Sequence, residues 1–247
     1  MNYLYDETFD GFLTCVKHHY YTENAEGIFP NSSAYQMDLT RYAMTVETDE
    51  DAARIVHRAI VNKISKWDAE RVYRVFCTNE PEKEMKMLRY LRLGFKQGGR
   101  IRLLHGHPVV NDVQKAEQRL GCEVHRLCGL IRFSETQDKL LYAGFEPDND
   151  VLEFLAPHFT DRFRYDPFIL HDKRRDKALF AYNKEWQIAA FGEEEGQEIQ
   201  MSEDEATYRR LWKEYFEVMA TKERLNPACQ RRFMPARYWK NITEMST

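Results

Sequence analysis

The chain has 247 residues, 43% of them hydrophobic and 31% charged, and a net charge of −4. That length holds one large domain or two modest ones around a full core. The slight acidity excludes a uniformly basic nucleic-acid coat, so anion binding has to come from local patches.

The start, MNYLYDETFDGF, has neither the basic head nor the apolar core of a signal peptide, and no apolar run nears the ~20 residues of a bilayer span. A cytoplasmic protein without a membrane partner is expected. NYLYD reads as an edge strand, followed after Asp10 by a helical stripe of Leu13, Val16 and Tyr20. Residues 22–44 are polar and turn-rich and read as a loop. Thr48-x-x-Asp51 caps a helix carrying Ala52, Ile55, Val56, Ala59, Ile60 and Ile64, and Ser65-x-x-Asp68 repeats the device before Val72, Tyr73 and Phe76. From Pro81 to about Gln97 a helix sets Leu88, Leu91 and Phe95 against Arg89, Arg92 and Lys96, ending at Gly98-Gly99. His107-Pro108 opens another, with Val113, Ala116, Leu120, Val124 and Leu127, that stops near Gly129.

The period then becomes extended. LIRFSE and LLYAGFE form a hairpin about TQD, and Asp150-x-x-Glu153 caps a short helix, VLEFLA, broken at Pro157. FILHD, ALFAY and WQIAAF are strands whose short connections favour an antiparallel meander. GEEEGQE is an acidic loop. Ser202-x-x-Glu205 reads as a capping box, with Met201 and Ala206 as its hydrophobic staple, before a docking stripe of Tyr208, Leu211, Trp212, Tyr215 and Met219. The expected fold is α+β: an antiparallel sheet of about five strands packed with helices, and a helix-rich N-terminal half. The division is expected between residues 1–83 and 84–247.

Three clusters carry chemistry. The stretch from Lys222 to Lys240 sets Lys222, Arg224, Arg231, Arg232, Arg237 and Lys240 against Glu223 alone, a local charge of +5. Arginine forks suit phosphate, and Phe233, Tyr238 and Trp239 offer stacking faces for bases. The other reading is a C-terminal lock, with the aromatics in the core. In the second cluster, His125, Arg126 and Arg132 at a helix-to-strand junction either grip a phosphate or satisfy carbonyls. Cys122-x-x-His125-x-x-Cys128 fails as a metal site, because on a helix the outer side chains diverge by about 120°. No metal and no cofactor is expected, and the five scattered cysteines read as free thiols. The third cluster is His158, Asp161, Arg162, His171, Asp172, Arg174 and Arg175, where a carboxylate–imidazole pair would do acid–base work. Neighbours on a strand face opposite ways, so His158 with Asp172, or His171 with Asp161, are the pairs to look for. His18-His19 and His105-x-His107 read as structural or solvent-exposed.

HRLCGLIRF, LLYAGFEPDNDVLEFLAPHFTDRF, FILHDKRRDKALF and the closing ERLNPACQRRFMPARYW together resemble a bacterial family of DNA metabolism or repair proteins, from about Glu84 to Trp239. The chain departs from that pattern at Cys128, where a Lys or other polar residue is usual, and at Asn149-Asp150, where the order is His-Asn. The resemblance implies a domain of unknown function, encoded beside a radical S-adenosylmethionine (radical-SAM) protein and found fused to uracil-DNA glycosylase-like domains. It implies DNA as a partner and a radical-SAM protein or glycosylase as another. The expected function is a DNA-binding accessory factor in repair; the alternatives are a DNA-processing enzyme using His125, His158 or His171, and a protein–protein scaffold.

Overall fold

The computed structural model describes residues 1–31, 42–221 and 226–245, and the chain in it is α+β, made of two compact units that part at Leu120. The family-like stretch begins well before that boundary, which falls inside a helix.

The first unit is built on β1 (Asn2–Tyr5), β2 (Gly27–Pro30) and β3 (Ala43–Thr45), all parallel, in the order β2-β1-β3. NYLYD is therefore the central strand of its sheet rather than an edge, and it is buried on both sides. Residues 22–44 contain two strands as well as turns, because main-chain pairing to β1 overrides their polar composition; residues 32–41 lie outside the described residues. Around this sheet pack α1 (Phe9–Tyr21), α2 (Glu50–Lys63), α3 (Lys66–Phe76) and α4 (Lys83–Gln97), followed by the start of α5 (Pro108–Leu130). The caps explain the starts: Thr8 Oγ1 accepts from Gly11 N, Asp49 from Ala52 N and Ser65 from Asp68 N. Asp49 rather than Thr48 thus caps α2. Gly98 ends α4 with φ at 58°, a conformation that favours glycine. His19 is buried, and its Nδ1 accepts from Ala25 N at 2.8 Å, a structural role.

The second unit carries a five-stranded sheet in the order β4-β5-β6-β7-β8: β4 (Ser134–Glu135), β5 (Leu141–Phe145), β6 (Phe168–Asp172), β7 (Lys177–Tyr182) and β8 (Glu185–Ala190). The hairpin β4/β5 and the pairs β6/β7 and β7/β8 are antiparallel, but β5 and β6 run parallel. The sheet is mixed, which corrects the all-antiparallel expectation. The reason is α6 (Leu152–Arg162), a crossover long enough to return the chain in the same direction. It continues past Pro157, giving up one main-chain hydrogen bond, because Leu152, Leu155, Ala156 and Phe159 stay buried on one side. Asn183 and Lys184, with φ at 51° and 68°, make the tight turn between β7 and β8.

Two further readings change. GEEEGQE is not a loop but α7 (Glu193–Glu198), and Glu195 Oε2 accepts from Gly192 N at its start. The Ser202-x-x-Glu205 box does not form: α8 (Glu205–Met219) has Asp204 at its N-cap, and the Glu205 carboxylate is taken by Glu135 N and Arg209. Ala206 is exposed and Met201 packs beside Tyr142, so there is no staple. The α8 stripe of Tyr208, Leu211, Trp212, Tyr215 and Met219 is exposed instead of docked. The chain closes with α9 (Pro227–Phe233) and a 3-10 turn at Ala236–Asn241.

Candidate functional site

Strand β6 divides the chemistry of the second unit, because alternate side chains face opposite ways. Phe168, Leu170 and Asp172 point one way, where Phe168 meets Phe133 and Phe163. Ile169 and His171 point the other way, toward Tyr142, Phe191 and Met201.

The Asp172 face is saturated. Asp172 is fully buried and accepts from Arg175 Nη1 and Arg174 N, both at 3.0 Å. Burial raises its pKa, and Arg175 offsets that only in part. Beside it, the Glu123 carboxylate accepts from Asp148 N, Asn149 N, Asn149 Nδ2 and Tyr238 Oη. Arg237 donates to Tyr238 Oη and pairs with Asp148 at 2.8 Å; Arg174 reaches Asp148 too, and Lys177 pairs with Asp150. The EPDND loop and the C-terminal segment are thus tied together by the buried Glu123 carboxylate and the partly exposed Arg237–Asp148 pair, which is the locking reading of that segment. Tyr238 is 2% exposed and offers no face to a base, a correction to its stacking role. Trp239 is half-buried, with Nε1 bonded to Met234 O.

The His171 face is open to a cavity of about 330 Å³. Its lining includes Arg132, Lys173, Arg209, Lys240, Tyr142 and His171. Tyr142 on β5 and His171 on β6 are brought together by the parallel register, in which Gly144 lies opposite His171. Tyr142 Oη and His171 Nδ1 are 2.8 Å apart. The imidazole is fully buried, and burial followed by the charge on Lys173 lowers its pKa, so the ring is neutral at pH 7. Its Nε2 has no partner within hydrogen-bonding geometry, although the Phe191 backbone lies close enough to favour the protonated ring. Burial pushes the Tyr142 phenol up to about 12. Two glycines make room. A Cβ on Gly196 of α7 would sit 3.0 Å from His171 Nδ1 and 3.1 Å from Tyr142 Oη; one on Gly144 would sit 3.0 Å from the same oxygen and 3.1 Å from Lys173 Nζ.

The four cations differ in freedom. Arg132 is held by Glu244 at 2.6 Å and covered by Trp212; Arg209 by Glu205 at 2.7 Å and Ser134 Oγ at 2.6 Å; Lys240 by Glu146 at 2.7 Å. Lys173 makes no ion pair among the described residues. Burial alone would raise the Glu244 pKa, but the hydrogen bonds from Arg132, its own backbone and Trp212, with the Arg132 charge, together lower it. Glu193 is the acid among the lining residues.

Other expected site residues lie apart from this cavity. His125 and His158 are exposed, the latter edge-on to Phe159, and Asp161 is exposed and bonded to Arg164. Neither His158 with Asp172 nor His171 with Asp161 is a hydrogen-bonded pair; the tertiary fold gives His171 to Tyr142 and Asp172 to Arg175. Arg126 is half-buried, Arg162 lies over Phe163, and Arg231 and Arg232 are exposed in α9. Arg224 lies outside the described residues. Tyr142 and Lys173 were missed by sequence reasoning. Lys173 sits two residues beyond His171, a spacing that puts both on one strand face and could have found it.

A family model described as a domain of unknown function, DUF4130, matches residues 81–244. The chain belongs to the DUF4130 family. The match takes in every residue of the cavity, so the site is a feature of the DUF4130 part of the chain. No curated protein and no solved structure matches the chain. Among the described residues no helix is long and apolar enough to cross a membrane.

Proposed function

We propose that this DUF4130 protein is a DNA-binding factor of DNA repair or metabolism, and that the strand's phosphates enter the cavity beside His171. The observation that carries the reading is the gathering of Arg132, Lys173, Arg209 and Lys240, from four separate stretches of sequence, around one cavity with a single lining acid, Glu193. Phosphate contacts of that kind supply affinity without reading bases. The cavity is preferred to Arg237 because it adds Lys173, which makes no ion pair among the described residues; Arg132, Arg209 and Lys240 are paired with Glu244, Glu205 and Glu146 as Arg237 is with Asp148. The resemblance to DNA metabolism proteins supports the same substrate class, and it adds the partner: a radical-SAM protein or a glycosylase that carries the harder chemistry.

The test is a salt titration of the full chain with single- and double-stranded DNA. Affinity falls steeply between about 50 and 200 mM salt if several phosphates are bound. Lys173→Ala lowers the slope by about one contact. A flat curve removes electrostatic DNA binding. Co-purification from nuclease-treated extract tests the partner separately.

A further inference from the structure

We propose that Tyr142 Oη is the nucleophile of a phosphoryl-transfer centre, with His171 as its base and Lys173 as its acid, acting on a phosphodiester of the nucleic-acid strand; this rests on the reading of the cavity as a phosphate site.

The geometry is that of an activated hydroxyl. A neutral imidazole has one donor and one acceptor nitrogen. In the tautomer that carries its proton on the buried Nε2, Nδ1 accepts from Tyr142 Oη, 2.8 Å away. Nucleophile and base then stand within hydrogen-bond reach of each other, as nucleophilic catalysis requires. Tyr142 is only 7% exposed, and it lines the cavity. A purely structural tyrosine has no need of two glycines that clear the space around its oxygen, yet Gly144 and Gly196 both do so. Lys173, unpaired among the described residues, shares the space over Gly144 with that oxygen: a Cβ there would sit 3.1 Å from Lys173 Nζ and 3.0 Å from Tyr142 Oη.

The step balances without metal or co-reactant. The Tyr142 oxygen attacks phosphorus as its proton passes to His171 Nδ1. The bond from phosphorus to the leaving sugar oxygen breaks, and that oxygen takes a proton from Lys173 Nζ. The products are a phosphotyrosine ester, a free hydroxyl end, an imidazolium and a neutral amine, with total charge unchanged. Because burial holds the phenol protonated at rest, proton loss accompanies attack and does not precede it. Arg132 and Arg209, fixed by Glu244 and Glu205, supply positioned charge for the phosphoryl oxygens.

The experiment uses the full chain with two probes: a single-stranded oligonucleotide, and a nitrophenyl phosphodiester of a nucleoside, whose leaving group needs no acid. The expected results are a nitrophenolate burst of about one per chain, as acyl-enzyme-type intermediates give, and a denaturation-resistant oligonucleotide adduct whose peptide mass maps to Tyr142. Tyr142→Phe, folded by circular dichroism, loses both. Lys173→Gln slows oligonucleotide cleavage about 100-fold while sparing the nitrophenyl burst, as loss of an acid predicts. DNA binding with neither burst nor adduct overturns this inference and leaves the binding reading standing. A burst mapped to Tyr142 without DNA binding upholds the nucleophile and overturns nucleic acid as its substrate. An adduct that survives in Tyr142→Phe overturns the nucleophile.

Discussion

His171 and Asp172 are adjacent on β6, both fully buried and both titratable, yet their surroundings are opposite. Asp172 has an arginine fork and a main-chain N–H, and the loop beyond it is stitched by Glu123, Arg237 and Asp148. His171 has one phenol, a cavity and a nitrogen with unmet capacity. A buried charge whose valences are all filled serves the fold; a buried base left with an opening is placed where a ligand can meet it. Changes on the Asp172 face should therefore be read in stability, and changes on the His171 face in chemistry and binding.

The largest expected effect tests the saturated face. Asp172→Ala leaves Arg175 without its buried partner, and breaking such a pair costs about 3–5 kcal/mol. A melting experiment would register this as a drop of roughly 6–20 °C, at about 2–4 °C per kcal/mol for a chain of this size. A drop of only a degree or two would mean that Arg175 finds enough compensation in the Pro147 and Asp148 carbonyls, its other acceptors.

Next comes Gly196→Ala. Its Cβ would press on His171 and Tyr142 Oη at 3.0–3.1 Å, so α7 or the pair must shift. Overpacking of this kind costs about 1–3 kcal/mol. Stability and DNA affinity should fall together here, whereas Asp172→Ala should leave the affinity of the folded fraction unchanged. If DNA binding survives Gly196→Ala at full strength, the cavity is not where phosphate enters.

Acid provides a third separation. The folded pKa of His171 is lowered, first by burial and then by Lys173. Unfolded imidazole titrates near 6.5. Below that pH the unfolded chain takes up a proton that folded His171 refuses, so stability is lost as pH falls from about 6.5. His19, also lowered by burial, adds a similar slope. His171→Gln should remove part of the acid-dependent fall in melting temperature, and His171→Gln with His19→Gln more of it. An unchanged pH profile in the first variant would mean that His171 is protonated as readily folded as unfolded.

The same division shows what the sequence could disclose. The cap of α3 was legible because it is local: Ser65 and Asp68 are three residues apart and bond as read, whereas the cap of α2 was read one residue early, at Thr48 instead of Asp49. The opposite facing of His171 and Asp172 was legible from the strand period alone. The parallel pairing of β5 with β6 was not, since it depends on α6 running through Pro157 against the usual cost of an internal proline. Without that pairing nothing places Tyr142 beside His171, and the site's hydroxyl stayed hidden. The C-terminal arginines misled for a related reason. Arg237 and Lys240 meet Asp148 and Glu146, acids far away in sequence, so two of the charges counted locally are cancelled once the segment folds back on them.

The smallest effects fall on the arginines that no acid neutralises. Arg231 and Arg232 are exposed in α9, and neither forms an ion pair among the described residues. Replacing either by Ala should change stability by no more than about 0.5 kcal/mol, the range for surface sites without special contacts. If the C-terminal segment still touches DNA outside the cavity, each replacement should lower the salt slope by about one, evenly across sequences. Arg237→Ala is the internal control. Its guanidinium is engaged with Asp148 and Tyr238, so its loss should cost stability and leave the slope alone. The reverse result, a slope that answers to Arg237 and not to Arg231 or Arg232, would mean that the lock opens when DNA binds, and the line drawn between the two faces of β6 would have to be redrawn.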